Sequence, residues 1–113
     1  MGLRRLIGLV TRLRGPEGCP WDREQELRDL RAYLLEEAHE AAAAIDAGDW
    51  EQLTGELGDL LFLIAFIVQL GEEAGQLALG DVIDRSEAKM IARHPHVFGD
   101  AVAEDARAVR RAW

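Results

Sequence analysis

The chain has 113 residues, 49% of them apolar, and 21 acidic against 13 basic side chains give it a formal charge of −8. That length fits one domain spanning residues 1–113, and the acidic balance excludes non-specific binding to duplex nucleic acid, which needs a basic footprint. A single cysteine, Cys19, excludes an internal disulfide framework and fits a reducing compartment, so the cytoplasm is the expected location.

In chain order, Leu3, Leu6, Ile7, Val10 and Leu13 recur at helical spacing, which predicts an amphipathic helix over 2–14 stopped by Gly15-Pro16. The segment "GPEGCPWD" reads as a turn-rich loop. Asp22 is expected to cap a helix from Arg23 to Ala47, whose stripe of Leu27, Leu30, Leu34, Ala41, Ala44 and Ile45 ends at Gly48. Asp49 with Gln52 resembles a capping box and opens a helix from Trp50 to Glu73. Its apolar run from Leu60 to Val68 is about half of what spans a bilayer, and the N-terminus lacks a signal-peptide cleavage pattern, so no membrane association is expected. The same run is apolar all round its helix and must be covered on every side, which predicts a homodimer or higher oligomer with this helix near the contact. Residues 75–80 read as a loop and Asp81 as the cap of a shorter helix carrying Val82, Ile83, Met90 and Ile91. That helix ends before His94-Pro95, because the residue preceding a proline avoids helical geometry. "HPHVFGD" reads as a loop, with His94 and His96 fixing it by hydrogen bonds, and residues 102–113 read as a last short helix. No strand alternation, repeat or low-complexity tract appears, so the fold class is all-α, an antiparallel helical bundle.

Two acidic pairs interrupt the apolar stripes. With about 100° per residue and Glu56 at zero, Leu63 falls at about −20°, Leu60 at about +40° and Asp59 at about −60°. With Glu37 at zero, Leu30 falls at about +20°, Ala41 at about +40° and Glu40 at about −60°. The turn at Gly48 makes the two helices antiparallel neighbours, so the pairs can converge. One such pair alone reads as an ordinary acidic helix surface; two on apolar stripes call for a divalent cation, because unpaired buried carboxylates are costly. All-carboxylate sites suit Mg²⁺, Mn²⁺ or Ca²⁺, and Mg²⁺ with a phosphorylated ligand comes first. Glu36 to His39 also spells the Glu-x-x-His of di-iron bundles, but His39 lies about 160° from Glu37 and the second helix has no histidine, which argues against that chemistry.

The combination of "EEAHE" at 36–40 with "ELGD" at 56–59 resembles the Glu-Glu-x-x-Glu and Glu-x-x-Asp signature of MazG-type nucleoside triphosphate pyrophosphohydrolases. "LRGPEGCPWDREQ" at 13–25 and "KMIARHPHVFGD" at 89–100 resemble the segments that precede and follow it, so the likeness runs in order along most of the chain. The resemblance implies an all-α fold that dimerises into bundles. It also implies Mg²⁺-dependent cleavage of nucleoside triphosphates between the α and β phosphates, giving monophosphate and pyrophosphate, as in house-cleaning of non-canonical nucleotides; Mn²⁺ is a substitute. By the same resemblance, Glu37, Glu40, Glu56 and Asp59 match the metal ligands, Lys89 and Arg93 match basic residues that neutralise phosphate oxygens, and Trp113 loosely matches a family tryptophan. Glu36, about 100° from Glu37, is the remaining acid and a candidate to orient or deprotonate the attacking water. Trp21 is a candidate to stack on a base or pack over the site, against the plainer reading of a core tryptophan. Lys89 reads equally as a solvated surface charge, and Cys19 reads as packing rather than as a nucleophile. The chain departs from the family pattern at Glu26-Leu27, where a Thr-His pair is usual, and longer relatives carry a second such domain or a C-terminal element that closes the pocket. These departures support an alternative, a non-catalytic dimeric module that senses nucleotide and Mg²⁺.

Overall fold

The computed structural model describes residues 2–102 and 104–111, and among these it is all-helical. Two compact units divide it, residues 1–76 and 77–113.

The first unit begins with α1 (Gly2–Leu13), which buries Ile7 and Val10. A short α2 (Pro20–Glu24) follows, with proline at its first position. Then come the long helices α3 (Leu27–Ala47) and α4 (Trp50–Glu73), linked only by Gly48 and Asp49. Gly48 takes φ 66°, ψ 26°, a left-handed geometry that glycine reaches without a Cβ clash, and its N–H closes onto Ala44 and Ile45. Asp49 then caps α4 by accepting from the Gln52 N–H at 3.0 Å. With a link this short, α3 and α4 run antiparallel as neighbours, and α1 lies against α4. The core of the unit comes from Ile7 and Val10 of α1, Leu30, Ala41 and Ala44 of α3, and Leu63, Ala65, Phe66 and Val68 of α4. Burying each of the large ones contributes roughly 1.5–3 kcal/mol.

The expected single helix from Arg23 to Ala47 is in fact two. Gln25 turns extended at ψ 133°, and Asp22, expected as a cap, is a buried member of α2. The real cap of α3 is Glu26, whose carboxylate takes the Asp29 N–H while its own N–H donates to Asp29 Oδ2 at 2.8 Å. The chain breaks there because carbonyls that would continue a helix, those of Asp22 and Gln25, are held by the Arg14 guanidinium at 2.6 and 3.1 Å. The preceding loop closes tightly as well: the Cys19 N–H reaches the Leu13 carbonyl at 2.8 Å, and a Cβ at Gly18 would meet that same oxygen at 2.0 Å. Position 18 therefore admits glycine alone.

The second unit holds α5 (Leu79–Ala92), a single turn α6 (Pro95–Phe98) and α7 (Ala106–Arg111). α5 starts earlier than expected, so Ala78 is its cap and Asp81 lies in its first turn. "HPHVFGD" contains a turn of helix started by Pro95. His94 Nδ1 donates to the Met90 carbonyl, a hydrogen bond of the kind expected of it, and its ring lies 5.5 Å from that of His96. Asp105 Oδ1 accepts from the Ala108 N–H and caps α7; Trp113 lies outside the described residues.

Among the described residues α4 alone is, by length and composition, apolar enough to cross a membrane. Its packing against α1 and α3 accounts for part of that character. Leu57, Leu61 and Ile64, spaced four and three residues apart on one face, are 48%, 47% and 40% exposed.

Candidate active site

Three of the four acids expected to converge do so. Carboxylate oxygens of Glu37 on α3 and of Glu56 and Asp59 on α4 lie within 4.8 Å of one another. Glu56 is buried, 6% exposed, on a helix face it shares with Leu63 and Phe66. Gln52, one turn earlier, donates from Nε2 to Glu56 Oε1 at 2.6 Å. This bond fixes the carboxylate and leaves Oε2 for the cluster. Glu56 Oε2 and Glu37 Oε2 are both shielded from solvent without a hydrogen-bond donor. Shielded, unpartnered carboxylate oxygens in one cluster are unfavourable unless a proton or a cation offsets their charge.

The crowding of these carboxylates favours the protonated form of Glu37. A hydrogen bond shared with Glu56, partial desolvation, and the charges of Glu40, Glu56 and Asp59 push Glu37 up to about 7. Glu40, one turn along and exposed, is raised as well, chiefly by its hydrogen bond and charge interaction with Glu56. The donor set therefore fits a hard divalent cation: carboxylate oxygens from two helices, two of them orphaned, and one held in place by a neutral amide. Glu37, Glu56 and Asp59 form the tight group, while Glu40 stands at its edge. Glu36 is exposed beside Glu37.

An aromatic cleft of about 280 Å³ adjoins the acids, lined by Trp21, Leu30, Tyr33, Glu37, Asp59, Phe62, Leu63 and Phe66. Trp21 is half exposed, not core, and meets Tyr33 edge-on with ring centroids 5.9 Å apart. Phe62 and Phe66 meet in the same way at 6.1 Å. A second, open cleft of about 330 Å³ lies on Asp49, Glu51, Gln52, Gly55, Glu56 and Asp59, so the acids are approached from two directions.

Sequence reasoning passed over Arg14. Its Nε and Nη2 form a bidentate pair with Glu73 at 2.8 and 2.7 Å, and its centre lies 5.8 Å from the Phe66 ring. Glu73 holds the guanidinium pKa above its ordinary value, and Arg14 in turn holds the Glu73 carboxyl below the usual range. Helical periodicity gave no hint of this residue, because Arg14 lies just beyond the end of α1 and its partners are 8 to 59 residues away.

Lys89 and Arg93 belong to the second unit, one turn apart at the C-terminal end of α5. Lys89 is exposed, and the Arg93 N–H caps the helix by donating to the Lys89 carbonyl at 3.0 Å.

The model of the MazG nucleotide pyrophosphohydrolase domain matches residues 25–98, which include all four acids together with Lys89 and Arg93. The chain is 44% identical over 110 residues to the nucleoside triphosphate pyrophosphohydrolase of Escherichia coli K12, covering 96% of this chain and 42% of that protein. It is 44% identical over 96 residues to the nucleoside triphosphate pyrophosphohydrolase/pyrophosphatase MazG of Thermotoga maritima, covering 85% of this chain and 38% of that one. The mycobacterial nucleoside triphosphate pyrophosphohydrolase of Mycobacterium tuberculosis is 39% identical over 100 residues, covering 86% and 30% respectively. The chain thus spans about two fifths or less of the length of these relatives. By the extent of the domain match and the acids it contains, the chain belongs to the MazG nucleotide pyrophosphohydrolase domain family.

Proposed function

We propose that the chain hydrolyses nucleoside triphosphates to the monophosphate and pyrophosphate with Mg²⁺, Mn²⁺ serving as a substitute. The observation that carries this reading is the group of carboxylate oxygens from Glu37, Glu56 and Asp59 within 4.8 Å of one another, with Glu37 Oε2 and Glu56 Oε2 buried and unpartnered, beside an open aromatic cleft. Glu37, Glu40, Glu56 and Asp59 would hold the cation, which supplies positive charge for phosphate oxygens and lowers the pKa of a nearby water. Glu36 accepts a proton from the attacking water. Lys89 and Arg93 offset the charge that develops on the departing pyrophosphate. Trp21 and Tyr33 present ring surfaces to a base, while Leu30 and Phe66 exclude water beside the acids. The departure at Glu26-Leu27 is compatible with catalysis, since Glu26 serves as the cap of α3.

On this reading the whole chain works as one domain and as a homodimer or higher oligomer, with Leu57, Leu61 and Ile64 of α4 at the contact. It acts in the cytoplasm, away from duplex nucleic acid and membrane.

Product analysis with canonical and modified nucleoside triphosphates, separating pyrophosphate from phosphate, tests the activity. The native chain releases pyrophosphate and monophosphate with Mg²⁺, and Glu56→Gln lowers the rate at least about 100-fold while keeping the helical circular dichroism. Nucleotide binding without turnover on any substrate would instead support the non-catalytic sensing module.

A further inference from the structure

We infer that Arg14 is a positioning residue for the nucleotide base: it holds α2 in the conformation that keeps Trp21 at the edge of the aromatic cleft. This rests on the reading that the cleft receives the base.

α2 has five residues, far below the length at which an isolated helix persists in water, so its shape depends on ties to the rest of the fold. Arg14 supplies such ties on both sides. Its Nη1 donates to the carbonyls of Asp22 at 2.6 Å and Gln25 at 3.1 Å, with that of Arg23 at 3.5 Å, so it brackets the chain just after Trp21. The opposite edge of the guanidinium is anchored on the Glu73 carboxylate at the far end of α4. The Phe66 ring under the guanidinium lines the same cleft as Trp21. One planar cation thus joins the end of α1, the last turn of α2 and α4. Only 13% of its side chain is exposed, which limits competition from water. Local bonds complete the segment: Gln25 Nε2 donates to the Trp21 carbonyl at 3.1 Å, and Arg23 Nη1 donates to the Pro16 carbonyl at 3.0 Å.

A lysine cannot reproduce this arrangement. Its ammonium is a point donor, whereas Arg14 serves a carboxylate on one edge and backbone carbonyls on the other. If Arg14 merely stabilised the fold, replacing it would lower the melting temperature and leave the folded protein's substrate affinity alone. A positioning role predicts a change in Trp21 itself and in KM.

The test measures acrylamide quenching of Trp21 in a Trp50→Phe, Trp113→Phe background, and kcat and KM for a nucleoside triphosphate with Mg²⁺, for native, Arg14→Lys, Arg14→Ala, Glu73→Gln and Trp21→Ala chains. The expected result for Arg14→Lys and Arg14→Ala is an increase of about twofold or more in the Trp21 quenching constant. KM should rise roughly tenfold with kcat kept within about threefold. Should the Arg14 variants fail to fold, Glu73→Gln, which releases only the α4 anchor, carries the same expectation and decides the matter. Unchanged quenching in the folded variants, or a fall in kcat with KM constant, overturns the proposal. If Trp21→Ala raises KM and the Arg14 variants do not, the role of Arg14 is refuted while the base site stands. If Trp21→Ala leaves KM unchanged, the cleft does not take the base; the quenching data then report only on the local fold, and the proposal falls with that reading.

Discussion

Glu37 has the sharpest consequence among single residues, because its proton stands in for a cation. In the folded chain it keeps that proton up to about pH 7, whereas an unfolded glutamate releases it near roughly 4.3. The stability this proton contributes is fully present below the unfolded value and is lost as pH rises through about 7. Cation binding requires the ionised form and runs the other way. The rise in melting temperature on adding Mg²⁺ should therefore grow between about pH 5 and pH 8, and a rise that is flat across this range would count against the cluster as the cation site. Gln52 makes a separate prediction. Replacing it with leucine keeps the helix but frees Glu56 Oε1, so Mn²⁺ affinity measured by titration calorimetry should fall about tenfold. Both acid pairs were legible in the sequence, since helical angles alone put them on apolar faces. Gln52 was legible only as half of a capping box: its backbone N–H does bond Asp49, but its side chain turns inward to Glu56.

At the scale of elements, the two-residue link between α3 and α4 sets the register that brings Glu37 opposite Glu56. Gly48→Ala would force a Cβ into left-handed geometry at φ 66°, costing roughly 1–2 kcal/mol. Asp49→Ala would remove the cap of α4, costing about 1 kcal/mol. Each should lower the melting temperature by several degrees, and Gly48→Ala should also weaken Mg²⁺ binding if register is what joins the acids. Glycine and aspartate are the residues from which the turn was read, so this element was predictable to the residue. The break between α2 and α3 was not. Locally, Arg23 to Ala47 is an acceptable helix, and a guanidinium from outside the segment ends it.

Across the whole molecule, the apolar surface of α4 exceeds what α1 and α3 cover. Leu57, Leu61 and Ile64 remain exposed in a row that a second copy would bury. On the proposed assembly, Leu61→Glu should lower the mass measured by sedimentation equilibrium to that of one chain and leave the helical circular dichroism in place, whereas an unchanged mass would rule out this face as the contact. Because Glu56 and Asp59 belong to the same helix, the variant also tells whether the site needs assembly to work.

By itself, the sequence determined the all-helical class, the α3–α4 turn, the acids destined to meet and the family, because each depends on periodicity, turn chemistry or short motifs within a few residues of one another. Only the tertiary structure decided which oxygens of those acids are orphaned, that Trp21 edges a cleft instead of filling a core, and that Arg14 ties α1, α2 and α4 together. Those outcomes rest on contacts between residues as far as 59 positions apart, and no local pattern encodes them.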